Sequence, residues 1–271
     1  MKRAISEIII ADCLFLFLLS LSAVFNDVIG SLIYSAAFIL PICMLLFWGK
    51  KSEEGDFKIS VLSSPKSLSL AAVFCFPIIS AVLLIAFLTA AIMNLCGIDG
   101  GVTDLGGNVF YVIVTSALAP AVFEEILFRY LPLRRLTPYS PKLAVIYSSV
   151  LFSVVHCNLF QIPYALIAGV LFAALDVASG SVLPSIIIHF INNVLSVFFQ
   201  REGENGAFLT VFLISLSALT ALSLVLIFLR RKKIKNAFSD ILTDKSKFIF
   251  TYSFGIYTTV MIFMAALILF Y

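Results

Sequence analysis

Two carboxylates and a guanidinium close an apolar run in Phe123-Glu124-Glu125-Ile126-Leu127-Phe128-Arg129, and the fifteen residues before Glu124 carry no charge. Two more polar islands sit inside apolar runs, Phe152-Ser153-Val154-Val155-His156 and His189-Phe190-Ile191-Asn192-Asn193, and they hold both histidines of the chain. An ionisable group inside a bilayer costs about 2.5 kcal/mol or more even on insertion scales, so such groups mark function by default. Together the residue types supply a general base, proton-carrying imidazoles and an amide donor. That set can draw a proton from a nucleophile and stabilise a developing oxyanion.

Spacing sorts these groups. On a helix, Glu125 and Arg129 are four apart with the acid first, so they can pair on one face. Glu124 lies about 100° round from Glu125 and can face a cavity instead. His189 and Asn193 share a face, and Phe152 and His156 repeat the same spacing. Each feature alone has a plain structural reading: Glu125–Arg129 as a buried staple, either histidine as an interhelical hydrogen bond. The chemical reading rests on all three islands converging. Asp12 and Asp176 are further intramembrane acids; Asp12 has no evident partner, and Asp176 is expected near a solvated helix end.

The elements that must position these residues are membrane helices. The 271-residue chain is 62% hydrophobic and 12% charged, about half the charge share of a soluble domain, and its mean hydropathy is +1.12. Apolar runs at 8–25, 31–48, 68–95, 108–132, 143–160, 162–178, 182–200, 207–229 and 248–270 are long enough to span. The expected fold is all-α, a polytopic transmembrane helix bundle of about eight to nine spans. It forms a single membrane domain over 1–271, with a motif-bearing core of four helices over about 108–200. Lys2 and Arg3 before the first run suit a signal peptide, but Glu7 and Asp12 interrupt that pattern and favour a retained helix. Pro77 suggests a kink or tilt in the long third run.

Charge orients the bundle. With the N-terminus cytoplasmic, the nine runs place 17 of the 18 Lys and Arg residues on inner segments and only Arg201 outside, as the positive-inside rule requires. Lys50–Lys66 and the basic loop 230–247 then face the cytosol, and Gly97–Gly107 faces outward. The basic loop reads as topology plus attraction to anionic headgroups. The glycine-rich loop reads as a connector, without calcium-loop spacing. The five cysteines read as small buried residues without metal spacing or disulfides.

Glu124-Glu125-x-x-x-Arg129, Phe152-x-x-x-His156 and His189-x-x-x-Asn193, in that order and each in an apolar run, resemble the CPBP family. These are the CAAX proteases and bacteriocin-processing membrane proteases, also called Abi, and they include the CAAX prenyl protease 2 enzymes. The resemblance covers about 108–200. It implies an intramembrane endopeptidase opening toward the cytosolic side, acting on membrane-associated proteins or peptides, including prenylated CAAX-type tails. Carried over by motif, Glu124 would activate water, His156 would help hold it, His189 and Asn193 would stabilise the oxyanion, and Glu125 and Arg129 would support them. The family is described both as glutamate-dependent and as metal-dependent. No cofactor is certain; a zinc ion would fall to Glu124, His156 and His189, although His-Glu-x-x-His is absent. The partners implied are a protein or peptide substrate and the lipid bilayer, with no nucleic acid, in a multi-pass protein of a bacterial plasma membrane.

Other classes fit less well. Ser153 precedes His156 by three residues on one helix, where its hydroxyl bonds back to the backbone. Cys157 points about 100° away from His156. The Gly-x-Gly-Asp of aspartyl intramembrane proteases is absent. A small-solute transporter calls for broken helices and an inverted repeat, and none stands out. An inactive scaffold or immunity protein on the same fold remains the third reading, separated from the first by a cleavage assay.

Overall fold

The structure is a computed structural model that describes residues 1–25, 27–49, 59–61, 64–98, 108–202 and 205–268. Lys50, Lys51 and Lys58 lie outside the described residues, as does most of the glycine-rich loop, so the sidedness expected of those two segments falls largely on residues outside them. The described elements are α1 Lys2–Val24, α2 Asp27–Gly49, α3 Pro65–Leu95, α4 Val109–Leu136, α5 Pro141–Val154, α6 Ile162–Ser179, α7 Leu183–Glu202, α8 Gly206–Leu229, the short α9 Arg231–Ala237 and α10 Ser239–Thr243, and α11 Tyr252–Ile268. Among the described residues no strand forms; Ser60 and Ser181 make one isolated parallel bridge. The protein is an all-α, multi-pass membrane bundle.

Seven of these helices, α1 to α4 and α6 to α8, are long and apolar enough to cross a bilayer. The other two apolar runs give shorter helices. The run at 143–160 is corrected most: its helix α5 ends at Val154 after 14 residues. The chain then reverses through Cys157, whose φ of 47° is left-handed, a conformation that L side chains adopt at a cost. Pro77 is carried inside α3, which runs unbroken for 31 residues from a Ser64–Ser67 capping box.

Two prolines shape α4. A proline lacks the N–H that would reach the carbonyl four residues back, and α4 contains π-helical turns at Ile113–Leu118 and Ile126–Tyr130, before Pro120 and Pro132. Pro132 leaves the Phe128 carbonyl without its helical donor, and the Ser148 hydroxyl of α5 donates to it at 2.6 Å. A sequence-level helix break thus becomes a joint between two helices.

The apolar interior has two parts. One joins α1, α2, the C-terminal half of α4, α5 and α11 around Ile5, Ile8, Leu127, Leu133 and Tyr147. The other joins α3, α6, α7 and α8 around Ile79, Leu175 and Ile188. At Gly169 of α6 the two meet closely: a Cβ there would lie 3.1 Å from Ser149 Cα of α5. The outward faces stay apolar, as Phe17, Phe87, Phe110 and Phe228 show, which suits lipid.

One end of the bundle is tied together by polar contacts. Arg135 pairs with Glu7 of α1 and donates to the Leu45 carbonyl of α2. Asp244, after α10, accepts from the Ser140 hydroxyl and the Lys142 N–H at the start of α5. Ser60 bonds the backbone on both sides of Ser181. Except for the buried Arg129 and for Arg201, every described Lys and Arg lies on the segments that meet at this end.

The cysteines depart from expectation. Only Cys75 is buried; Cys13, Cys43 and Cys96 are exposed and Cys157 is intermediate, and all five are free thiols. On an outward helix face in lipid, a thiol is as acceptable as it is in a core.

Candidate active site

The seam between the two apolar parts holds a chamber of about 470 Å³. Glu124, His156, His189 and Asn193 all line it, with Phe152 and Phe172. Glu125 and Arg129 do not; both are completely buried behind it. The adjacent glutamates therefore point different ways, as their helical spacing requires.

His189 stands between them. Its Nδ1 lies 2.8 Å from Glu125 Oε1 and its Nε2 4.0 Å from Glu124 Oε2. Glu125 uses its other oxygen toward Arg129 Nε at 3.6 Å, a distance for an ion pair and not a hydrogen bond. The Arg129 guanidinium carbon lies over Phe152, 3.8 Å from the ring centroid, so an aromatic face takes part of the charge. Phe152 also meets the rings of His156 and His189, at 4.9 and 6.1 Å.

His156 sits beyond the end of α5, in the turn and not within the helix. Its Nδ1 is 2.8 Å from the Phe152 carbonyl. A carbonyl only accepts, so Nδ1 carries the proton there and a neutral ring presents a bare Nε2 to the chamber. Asn193, one turn beyond His189 on α7, adds an amide.

Asp176 corrects the sequence reading. It is fully buried, not solvated, and takes a bond from the Ser185 hydroxyl at 2.7 Å and from the Ser185 N–H at 3.3 Å. Ser185 is one turn before His189, so Asp176 fixes the start of α7 and with it the imidazole. Asp12 lies apart, buried among α1 neighbours with both oxygens unpartnered among the described residues.

Sequence reasoning missed a polar stripe. Asn192, Ser196 and Gln200 follow one another at four-residue spacing on α7 and line the chamber with Gln161 opposite. The signal was available, because polar residues at 185, 189, 192, 196 and 200 recur at helical spacing on an otherwise apolar helix. The same chamber wall continues into a smaller cavity of about 130 Å³ closed by Leu195, Phe199 and Phe212.

Glu124, His156 and His189 do not form a zinc site in this arrangement. Among the described residues no three His, Cys, Asp or Glu side chains are placed to hold a metal ion, and a closed site needs all its ligands within about 2.3 Å of one point.

A multi-pass helix bundle that buries carboxylates, imidazoles and a guanidinium around an internal chamber belongs to the membrane proteins with a polar reaction or transport cavity. The sequence of that region is similar to one known family. The model of the Rce1-like family, described as type II CAAX prenyl endopeptidase Rce1-like, matches residues 106–195, the span from α4 to α7 that holds all three motifs, and so agrees with the CAAX protease family that the motifs resemble. The family implies a CAAX-type intramembrane protease in general. No curated protein and no solved structure matches the chain.

Proposed function

We propose that this protein is a glutamate-dependent intramembrane endopeptidase whose water is activated by Glu124. The observation that carries the reading is the placement of His189 between the two glutamates, with Glu124 free to face the chamber and Glu125 committed to His189 and Arg129. Glu124 is the general base. The bare Nε2 of His156 accepts from the same water and helps aim it at a substrate carbonyl.

As the carbonyl becomes tetrahedral its oxygen gains charge, and the donors near it are the Asn193 amide and His189. Donation by His189 Nε2 requires the imidazolium, whose charge the two flanking carboxylates balance. Glu125 is then a positioning residue, holding the ring through Nδ1. Glu124 passes its proton to the leaving amine, and hydrolysis is complete. The largely apolar surroundings of Phe152, Phe172 and Ile188 strengthen each of these interactions relative to bulk water. The amides of Asn192, Gln200 and Gln161 offer donors and acceptors to an extended peptide, whose backbone groups need partners at membrane depth.

The deciding experiment is peptide cleavage by purified protein in nanodiscs. Glu124→Gln keeps shape and polarity but cannot take a proton, so turnover should fall by roughly 10²–10⁴ with little change in melting temperature. Full activity in this variant removes Glu124 from the role. Absence of any wild-type cleavage favours the inactive-scaffold reading.

A further inference from the structure

The segment after α8 is an amphipathic strap laid across the tied end. Ile234, Ala237, Phe238 and Ile241 recur at helical spacing through α9 and α10 and are half-buried, while Arg230, Arg231, Lys232, Lys233 and Lys235 are exposed. Both apolar parts of the bundle receive the inner face. Ala237 and Phe238 pack on the part built from α3, α6, α7 and α8, with the Phe238 ring 5.9 Å from that of Phe74. Ile241 packs on the other part, and α10 touches both α5 and α6. Asp244 then fastens the strap to the start of α5 through Ser140 and Lys142. The walls it joins are filled here: Leu133, Thr137, Ser140, Ser181 and Val182 are all 2% exposed or less. The strap therefore crosses the same seam that holds the chamber further along.

Its outer face is left without a counter-charge. Arg230, Lys232, Lys233 and Lys235 pair with no acid among the described residues. Arg231 donates to the Phe228 carbonyl at 3.3 Å and lies over the Phe228 ring at 4.6 Å. With Leu229, Arg230 to Lys233 line a cleft of about 420 Å³ that holds four cations and no carboxylate. Like charges on successive residues repel one another until an anion lies among them.

The cleft begins where the lipid ends. α8 is apolar over its 24 residues, and its last two, Phe228 and Leu229, are 63% and 69% exposed, as lipid-facing side chains are. The cations that follow within one turn lie at the level of the headgroup phosphates, with an apolar shelf directly behind them. A soluble acidic protein would meet the charges and leave the shelf bare. A phospholipid satisfies both, its phosphate on the guanidinium and ammonium groups and its chains along Phe228 and Leu229.

We propose that the cleft formed by Arg230, Arg231, Lys232 and Lys233 binds the phosphate of an anionic phospholipid, and that this lipid pins the strap and clamps the two halves of the bundle together. Diffuse attraction between a basic loop and a membrane has no fixed site and no such consequence. The proposal does not depend on the protease reading.

The protein in nanodiscs of phosphatidylcholine, with and without phosphatidylglycerol, provides the test. A ligand of the folded state raises its melting temperature, so phosphatidylglycerol should raise it by several degrees, and by less as salt increases. Arg230→Gln/Arg231→Gln/Lys232→Gln/Lys233→Gln should lose most of that shift. Lys66→Gln/Lys142→Gln/Lys245→Gln/Lys247→Gln removes the same charge from the same end and should keep it; equal losses in the two variants leave only diffuse attraction and overturn the site. Inorganic phosphate or soluble polyglutamate, added to phosphatidylcholine nanodiscs, should shift nothing. A shift from either makes the partner a water-borne anion and overturns the lipid assignment. Hydrogen exchange on the unaltered protein reads the clamp without any substitution. Phosphatidylglycerol should slow exchange at 231–247 and, together with it, at the Lys142 amide that Asp244 holds. Slowing confined to the strap, or absent from both, overturns the clamp.

Discussion

At the scale of single residues, the pair behind the chamber is where stability and chemistry meet. Glu125→Gln removes the carboxylate charge that faces Arg129, and breaking a buried pair costs about 3–5 kcal/mol. The guanidinium has no hydrogen-bond partner among the described residues, so nothing nearby replaces Glu125 fully. A lower melting temperature is expected for Glu125→Gln, with partial recovery in Glu125→Gln/Arg129→Gln. Cleavage should fall in both, since each also loses the carboxylate that holds His189 Nδ1. Recovery of stability without activity, read by thermal melts beside a cleavage assay, separates the positioning role from the structural one. Unchanged activity in a stable Glu125→Gln removes that role.

At the scale of elements, two joints give further expectations. Gly169 faces Ser149 so closely that a Cβ would lie 3.1 Å from its Cα, so α5 and α6 approach by virtue of a small residue, as membrane helices do. Gly169→Val should push them apart, lower the melting temperature and displace the His156 turn; Gly169→Ala should do much less. A Gly169→Val protein with wild-type cleavage would show that this contact does not place His156. The second joint is Asp244 at the start of α5. Partial burial opposes its charge, but the Ser140 hydroxyl, then Ser246, then the Lys142 N–H hold its carboxyl below the usual carboxylate range. Its folded-state value is thus depressed. Its stabilising contribution is present above the unfolded value of about 3.9 and is lost as pH falls through that value toward the folded one. Wild type should therefore lose more thermal stability than Asp244→Asn between pH 5 and 3, a window set by the reference value; parallel losses would assign acid sensitivity elsewhere. These joints also show what the sequence made legible. Among the described residues, the nine apolar runs each mark an apolar helix, because hydropathy reports the solvent of each segment. The end of α5 is not marked, because Val155, Cys157, Leu159 and Phe160 are apolar whether the chain is helical or turning, and no glycine signals the left-handed Cys157. The motif residues were legible because charge is rare in such runs, whereas Asp176 was misread because burial depends on how α7 packs back on α6.

At the scale of the whole molecule, the closed half beneath Glu124 matters beyond catalysis. A polar chamber open at one end carries the electrical potential of the bath it faces. The membrane voltage must then drop across the sealed septum from Glu124 to Leu136, about 18 Å of helix, and not across the full bilayer. Moving one charge through the whole field is worth about 2.3 kcal/mol per 100 mV, but a proton travelling between that bath and Glu124 crosses almost none of it. Peptide cleavage in proteoliposomes should therefore be indifferent to a potassium diffusion potential of either sign. A voltage-dependent rate would mean that the field penetrates the chamber.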